Sequence, residues 1–319
     1  MTDYSQDLVS VVIPVFQEAE ALPTFLASVR HVLDQCSISY ECVLVDDGSS
    51  DETWPVISRE ATTSSSVRGF RLSRNFGKEA ALCAGLENAR GAAVIIMDGD
   101  GQHPASLLPE MIRLWKATEA DIVQAVKRSR GQEPFSSKAS ALGFYVLLKK
   151  FSGFDLRGAS DFKLMSRKAI NAWLTMRERN VFFRGMTAWM GFTTVQIPFE
   201  VAQRESGQST WSYLKRLKLA ITGITAFSSL PLQFVTFAGG FFLVFSVLLG
   251  AQTIYLKLSG QAVSGFATVI LLELIIGSFL MISLGIIGEY LARIYREVKG
   301  RPRYLVTEST EAKGAEGPG

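Results

Sequence analysis

The sequence predicts an α/β protein, a mostly parallel sheet with helices on both faces, followed by a two-helix transmembrane hairpin. Three observations lead there. Short β-branched or apolar runs alternate with helically spaced segments between Val9 and Val126. No Asp, Glu, Lys, Arg or His occurs from Leu219 to Leu256, and from Leu258 to Gly288 the one charge is Glu273. Lys and Arg collect on the outer margins of those two stretches.

The strand-like runs are Val9–Val15, Glu41–Val45, Gly69–Leu72, Ala93–Met97 and Asp121–Val126. Between them, Ala19–Leu33, Glu52–Ala61, Lys78–Ala89 and Ser106–Lys116 carry the spacing of helices with one apolar face. Strict alternation of this kind favours an open parallel sheet, whose ligands bind beyond the carboxyl ends of the strands.

A spanning helix needs about 20 apolar residues. The uncharged stretches therefore hold two spans, expected at Leu232–Leu256 and Phe266–Ile287, joined by a short loop around Lys257–Gly265. Leu219–Leu230 precedes Pro231 and is expected to lead in along the interface. A pair of buried core helices is the competing reading, but such helices rarely run this long with so little charge. Lys215, Arg216 and Lys218 precede the first span, and Arg293, Arg296, Lys299, Arg301 and Arg303 follow the second. The intervening loop holds Lys257 alone, so the positive-inside rule places both ends in the cytoplasm. Met1–Asp7 is polar and the run after it is short and holds Pro14, so no signal peptide is expected. The expected boundaries are a cytoplasmic domain over 1–210, an interfacial amphipathic helix over 211–230, the hairpin over 231–290 and a cytoplasmic tail over 291–319.

Composition removes other classes. The 319 residues carry 33 Lys+Arg against 30 Asp+Glu, a net charge of +3, too slight for a nucleic-acid binder. A 48% hydrophobic content with 20% charged residues excludes global disorder. Cys36, Cys42 and Cys83 lack CxxC spacing and the chain has two histidines, which rules out a zinc ribbon and a disulfide framework. Free thiols in a reducing cytosol are the expectation. The mean hydropathy of +0.20 is then an average over two unlike parts.

Chemistry-bearing residues collect just after the strands. The first ends in Pro14-Val15-Phe16-Gln17-Glu18, the second in Asp46-Asp47-Gly48-Ser49, and the fourth in Asp98-Gly99-Asp100-Gly101-Gln102. Asp-Asp-Gly-Ser alone reads equally well as a turn with a helix cap at Ser50 or Asp51. Three acidic turns at one sheet edge are harder to assign to turns alone. Asp98 and Asp100, with Gln102 two residues on, offer hard oxygen ligands suited to Mg²⁺ or Mn²⁺, which usually bind through one or two carboxylates plus substrate phosphates. The GxxxxGK[ST] phosphate loop is absent, so metal plus diphosphate points to a nucleotide-sugar donor.

These segments, with Leu72-Ser73-Arg74-Asn75-Phe76-Gly77-Lys78-Glu79, resemble family 2 glycosyltransferases of the GT-A fold. The likeness is greatest to bacterial polyprenyl-phosphate glycosyltransferases, the bactoprenol glucosyltransferases and relatives of dolichol-phosphate mannose synthase. It continues through Ser160–Met165, Arg204 with Gly207-Gln208-Ser209, both spans, and Gly288-Glu289-Tyr290-Leu291 to Pro302. The resemblance implies a nucleoside pocket lined by Pro14, Phe16, Glu18 and Asp47, with Asp46 beside them. It implies that Asp98, Asp100 and Gln102 hold the metal against the donor diphosphate and that Asp161 is the carboxylate at the reacting centre. It also implies that Arg204 contacts the diphosphate and that Lys127 or Arg128 meets the acceptor phosphate.

The implied reaction is inverting transfer of a sugar, glucose in the first instance, from a UDP-sugar to undecaprenyl or another polyprenyl phosphate. It would take place at the inner leaflet of a bacterial plasma membrane, in cell-envelope glycan synthesis, by a homo-oligomer such as the tetramers relatives form. GDP-mannose, UDP-galactose and UDP-amino sugars remain alternative donors. Two features depart from the pattern: Thr210 stands where relatives often carry Lys, which leaves Arg204 or Lys215 to close on the diphosphate, and Glu273 lies inside the second span. Such a carboxyl either snorkels to the interface or makes a polar contact between helices or subunits. Phe144–Phe151 and Trp211–Leu230 have apolar faces with basic margins, suited to the membrane interface or, for the first, to packing on the sheet. A processive polysaccharide synthase would carry QxxRW and more spans. A non-catalytic membrane scaffold would have no need of Asp98, Asp100 and Asp161 together, and two spans alone give a transporter no pathway.

Overall fold

A parallel strand covered by helices on both faces must be apolar at consecutive positions. Strand β1 (Leu8–Val15) meets this condition, with every residue from Val9 to Val15 buried, Ser10 included. So do Cys42–Val45 of β2 (Ser39–Asp46) and all of β4 (Ala93–Ile96), whereas β3 (Val67–Leu72), also mostly buried, carries Arg68 and Arg71; with β1 these strands form the centre of the sheet. The computed structural model describes residues 8–99, 101, 103–127, 160–179, 181–199, 230–260 and 265–311. Within them the chain adds α1 (Leu22–Asp34), α2 (Thr53–Thr63), α3 (Lys78–Asn88), α4 (Leu108–Thr118), β5 (Ile122–Lys127), β6 (Lys163–Ser166), α5 (Arg167–Thr175), α6 (Phe183–Trp189), β7 (Thr194–Phe199), α7 (Leu230–Leu258), α8 (Phe266–Val298) and β8 (Val306–Ser309).

The eight strands lie in the order β7-β5-β6-β4-β1-β2-β3-β8. β1 pairs in parallel with both β2 and β4, β2 with β3, and β5 with β7, while β6 and β8 run antiparallel to their neighbours. The α/β class read from the sequence, a mostly parallel GT-A sheet with helices and a C-terminal pair of long apolar helices, is the class of the structure.

The five expected strands and four expected helices are all present. Helix α1 begins at Leu22 rather than Ala19, with a proline in its first turn. Ahead of it, the N–H groups of Glu18 and Ala19 donate to Thr53 Oγ1 (3.0 Å) and Asp51 Oδ2 (3.3 Å), which ties the loop after β1 to the start of α2. Leu22, Phe25, Leu26, Val29 and Leu33 bury one face of α1. Strands β6, β7 and β8 were not expected, for a common reason. β6 is four residues long and carries a lysine, β7 is half exposed and contains Pro198, and β8 is exposed throughout. None has the continuous apolar run by which a buried strand is recognised.

Helix α3 sits close on the sheet. A Cβ at Gly85 would lie 2.3 Å from Val12 Cγ1 on β1, so the approach requires glycine. Ala81, Leu82, Cys83, Ala84 and Leu86 are buried around it. This packing carries the helix start, Lys78-Glu79, to the carboxyl end of the sheet.

The chain forms two compact units. The sheet unit holds the described residues through Phe199 and those from Arg301 onward, and the second unit holds α7 and α8. In the latter, Leu232–Leu258 and Leu272–Val298 are each long and apolar enough to cross a membrane. The two helices meet through Phe242 and Phe279, whose ring centres are 5.0 Å apart, and Phe234, Phe237, Phe241 and Leu243 project outward. Helix α8 continues past the Ile287 end expected for the second span. Its last turns are charged but still helical, with Arg293 Nε 3.3 Å from Glu289 Oε1 one turn away. Hydropathy marks the span, not the end of the helix. Residues 291–319, expected as a tail, thus supply the end of α8 and, at Val306–Ser309, the antiparallel partner of β3. Segment 211–229, including the expected interfacial helix, lies outside the described residues, as does Phe144–Phe151. Glu273 is exposed on α8.

Replacing Gly85 with Ala is expected to destabilise the sheet unit by about 1–3 kcal/mol through overpacking against Val12, read as a lower midpoint of thermal unfolding.

Candidate active site

The chain builds outward from β1 in one direction through β2 and β3, then returns to place β4 on the other side of β1. A sheet whose strand order reverses in this way opens a crevice at the carboxyl ends beside the reversal. A cleft of about 300 Å³ lies there, lined by Pro14, Val15, Phe16 and Glu18 after β1, Asp47 after β2, Asn75, Gly77, Lys78 and Ala81 around the start of α3, and Asp98 and Gly99 after β4.

Short polar side chains hold its walls. Gln17 adopts a left-handed φ of 55°, and its N–H donates to Ser49 Oγ at 2.9 Å, which pins the loop after β1 onto the loop after β2. Gly48, at φ +71°, allows the Arg74–Asn75 backbone to pass where a Cβ would lie 2.4 Å from it. The adjacent aspartates divide the work. Asp46 is fully buried, accepts the Ser49 N–H at 2.9 Å and faces Arg71 Nε at 3.5 Å, so it shapes the turn and does not line the cleft. Asp47 accepts the N–H groups of Phe76 and Gly77, both at 2.8 Å, and fixes the loop leading to Lys78. Burial raises its carboxyl above the ordinary value despite these two donors. The turn expected of Asp-Asp-Gly-Ser is present, and Asp51 accepts the Thr53 N–H at 3.2 Å where α2 begins.

The chemistry concentrates around Asp161, which immediately precedes Phe162 and β6 and is 8% exposed at its side chain. Arg184 of α6 grips it with Nε and a terminal nitrogen, each 2.8 Å from a different carboxylate oxygen. Lys78 Nζ donates to it at 2.7 Å and also lies 2.6 and 2.8 Å from the two oxygens of Asp98. Burial works to raise the Asp161 carboxyl, but Arg184 and Lys78 override it and hold the group well below the usual carboxylate range. Burial likewise opposes the Lys78 charge, and Asp98 and Asp161 more than restore it, raising its pKa.

Around this centre lie further groups to which the sequence reading assigned no role. Glu79 Oε2 accepts the Phe183 N–H at 3.1 Å, tying the start of α6 to α3. Burial first, and then the Asp161 charge, push its carboxyl up to about 7. Lys163, fully buried two residues after Asp161, donates to Thr187 Oγ1 of α6 at 2.8 Å, and burial lowers it to about 8. His103 stacks on Phe162 with centroids 4.7 Å apart, and its Nδ1 accepts the Asp98 N–H at 2.9 Å. That bond assigns the proton of the neutral ring to Nε2. Lys78 and Glu79 stand in a motif the sequence reading quoted, and His103 adjoins the acidic turn, so all three were findable. Arg184 had no local signal, because its partner is 23 residues away.

Of the expected site residues, Pro14, Phe16, Glu18, Asp47 and Asp98 line the cleft, and Asp161 joins them through Lys78. Phe16 presents its ring to solvent at 39% exposure. Asp100, Gln102, Arg128 and Arg204 lie outside the described residues, and Lys127 is described only through its backbone at the end of β5, paired with Phe199. Among the described residues there is no group of three His, Cys, Asp or Glu side chains able to hold a metal ion. Asp98 nevertheless fits a hard divalent cation. Its carboxylate opens to the cleft and already gathers one cation, the Lys78 ammonium.

A two-sided α/β sheet with a crevice at its strand reversal defines a protein that binds its ligand at the carboxyl ends of the strands. The family model for Glycosyl transferase family 2 matches residues 10–174, and the chain belongs to that family. Its relatives include the SfII prophage-derived bactoprenol glucosyl transferase of Shigella flexneri, 38% identical over 303 residues that cover 94% of this chain and 98% of the relative. The putative glycosyltransferase CsbB of Bacillus subtilis is 36% identical over 306 residues, covering 95% and 92%. Among solved structures, mannosyl-3-phosphoglycerate synthase from Rubrobacter xylanophilus is 16% identical, with a TM-score of 0.48 over 68% of this chain and 72% of its own.

The Glu79 carboxyl binds its proton more tightly in the folded chain than its ordinary value of 4.5. Its contribution to stability is complete below about 4.5 and is lost as pH rises through about 7, by at most about 3 kcal/mol. Glu79→Gln, which keeps an acceptor for the Phe183 N–H, is expected to flatten that part of the profile of unfolding temperature against pH.

Proposed function

We propose that this family 2 glycosyltransferase moves a hexose, with glucose first among the candidates, from a UDP-sugar to a polyprenyl phosphate with inversion at the anomeric carbon. The observation that carries the reading is Asp161, a carboxylate held anionic by Arg184 and by a Lys78 that also binds Asp98 of the crevice. The bactoprenol glucosyl transferases among its full-length relatives support the acceptor and the sugar. The two long apolar helices support a membrane setting, and the basic margins of the spans support a cytoplasmic catalytic unit at the inner leaflet.

In this reading Phe16 and Asp47 shape the nucleoside end of the cleft, with Pro14 and Glu18 beside them. Arg204 would approach the diphosphate, and Lys127 or Arg128 the acceptor phosphate. Asp98, with Asp100 and Gln102, would hold Mg²⁺ or Mn²⁺, which when bound supplies charge to the departing UDP. The acceptor is a phosphate monoester with a second pKa of about 6, so near pH 7 it attacks without surrendering a proton to the protein. A carboxylate held as low as Asp161 is a poor proton acceptor. Its negative charge instead suits the positive charge that develops on the sugar as the bond to UDP breaks.

Membranes containing the chain, incubated with polyprenyl phosphate and a panel of radiolabelled nucleotide sugars, are expected to yield metal-dependent, chloroform-soluble label, greatest from UDP-glucose. No labelled lipid from any donor would refute the assignment. Asp161→Asn is expected to lower the rate by about 10²-fold or more at every pH. The wild-type rate should fall below about pH 6, as the acceptor takes its second proton. Recovery of the Asn variant at high pH would instead identify Asp161 as a base.

A further inference from the structure

One ammonium group serves two carboxylates that the proposed reaction uses separately. Lys78 Nζ lies 2.6 Å from Asp98 Oδ1, 2.8 Å from Asp98 Oδ2 and 2.7 Å from Asp161 Oδ2. It reaches this position from the first residue of α3, a helix seated on β1 at Gly85 and preceded by a loop fixed by Asp47. Asp161 has a second cationic partner in Arg184, whereas the Asp98 carboxylate meets Lys78 and, at 4.0 Å, His103 Nε2. The Lys78 side chain is 40% exposed and lines the cleft, so room exists for it to leave.

We infer that Lys78 is a tethered counter-cation that occupies the cation position on Asp98 while the donor is absent, so that a divalent ion binds there more tightly when it arrives with a diphosphate that receives the displaced ammonium. Two cations cannot share the Asp98 oxygens without strong repulsion at a partly desolvated site. A free divalent ion arriving alone must expel Lys78 and leave it without an anionic partner on that side. An ion arriving with a nucleoside diphosphate brings oxygens that Lys78 can meet at the same cleft wall. Metal and nucleotide therefore help each other to bind, and by linkage each raises the affinity of the other by the same factor. Lys78 is in this sense a positioning residue for both carboxylates. The inference rests on the reading of Asp98 as a metal ligand.

The test is Mn²⁺ binding to the full-length chain in detergent, followed by electron paramagnetic resonance of the free ion, with and without UDP. Without UDP, Lys78→Met and Lys78→Gln are each expected to bind Mn²⁺ about tenfold more tightly than wild type, within the usual range of coupling between sites. Lys78→Arg should stay close to wild type, and adding Asp98→Asn to Lys78→Met should abolish the gain. Equal or weaker binding by both neutral variants, or a gain that survives loss of Asp98, would overturn the inference and leave the metal reading intact. Failure of wild type to bind Mn²⁺ even with UDP would overturn the metal reading, and this inference with it.

Discussion

A sheet covered on both faces accepts polar side chains within its strands only where they are paired. Along β1, β2 and β4 almost every side chain is buried, so carboxylates within the strands would be desolvated at a cost of several kcal/mol unless paired. Glu41 of β2 is such a paired case, meeting Arg68 and accepting from Ser10 and the Arg90 N–H, and the other carboxylates appear where the strands end, at Glu18, Asp46, Asp47 and Asp98. Because the strand order reverses beside β1, these ends face one crevice. The rest of the site is a response to that concentration of negative charge.

The response has two levels. Asp46 and Asp47 are absorbed by the backbone, the first by the Ser49 N–H and the second by the Phe76 and Gly77 N–H groups. Asp98 and Asp161 are answered by side-chain cations, Lys78 and Arg184, from helices distant in sequence. The short helix α6 is itself held by Glu79 at its start and by Lys163 through Thr187. Arg184 is thereby offered to Asp161 from an anchored support, and the carboxylate stays ionised. An ionised, already hydrogen-bonded carboxylate is suited to electrostatic work more than to proton transfer, which agrees with the proposed acceptor, a phosphate that is a nucleophile without help.

The far edge of the sheet is closed by the C-terminal segment. β8 pairs with β3, and Glu308 accepts from Trp54 Nε1 at 2.9 Å and from Arg71 at 2.7 Å, while Glu311 meets Arg68 at 2.7 Å. A strand this short and exposed would hardly form alone, and these charged contacts with β3 and α2 supply what its apolar content lacks. The edge of β3 is covered as a result, which removes an exposed pairing edge from the sheet.

Local pattern by itself determined much of this protein. Continuous apolar runs marked the central strands, one-sided spacing marked α1 to α4, and the absence of charge marked the two long apolar helices, because each of these signals depends on neighbours a few residues apart. The acidic turns were legible for the same reason, and the family motifs pointed to Asp161. Only the tertiary structure decided which carboxylates face the cleft and which do not. Asp46 and Asp47 are adjacent in sequence, yet one closes a turn and the other positions the Lys78 loop, since side chains in a strand end point to opposite sides. The partners of Asp161 come from residues 78 and 184, and β8 finds β3 from more than 200 residues away. Ion pairs and edge-strand pairings are made through space, and no local periodicity records them.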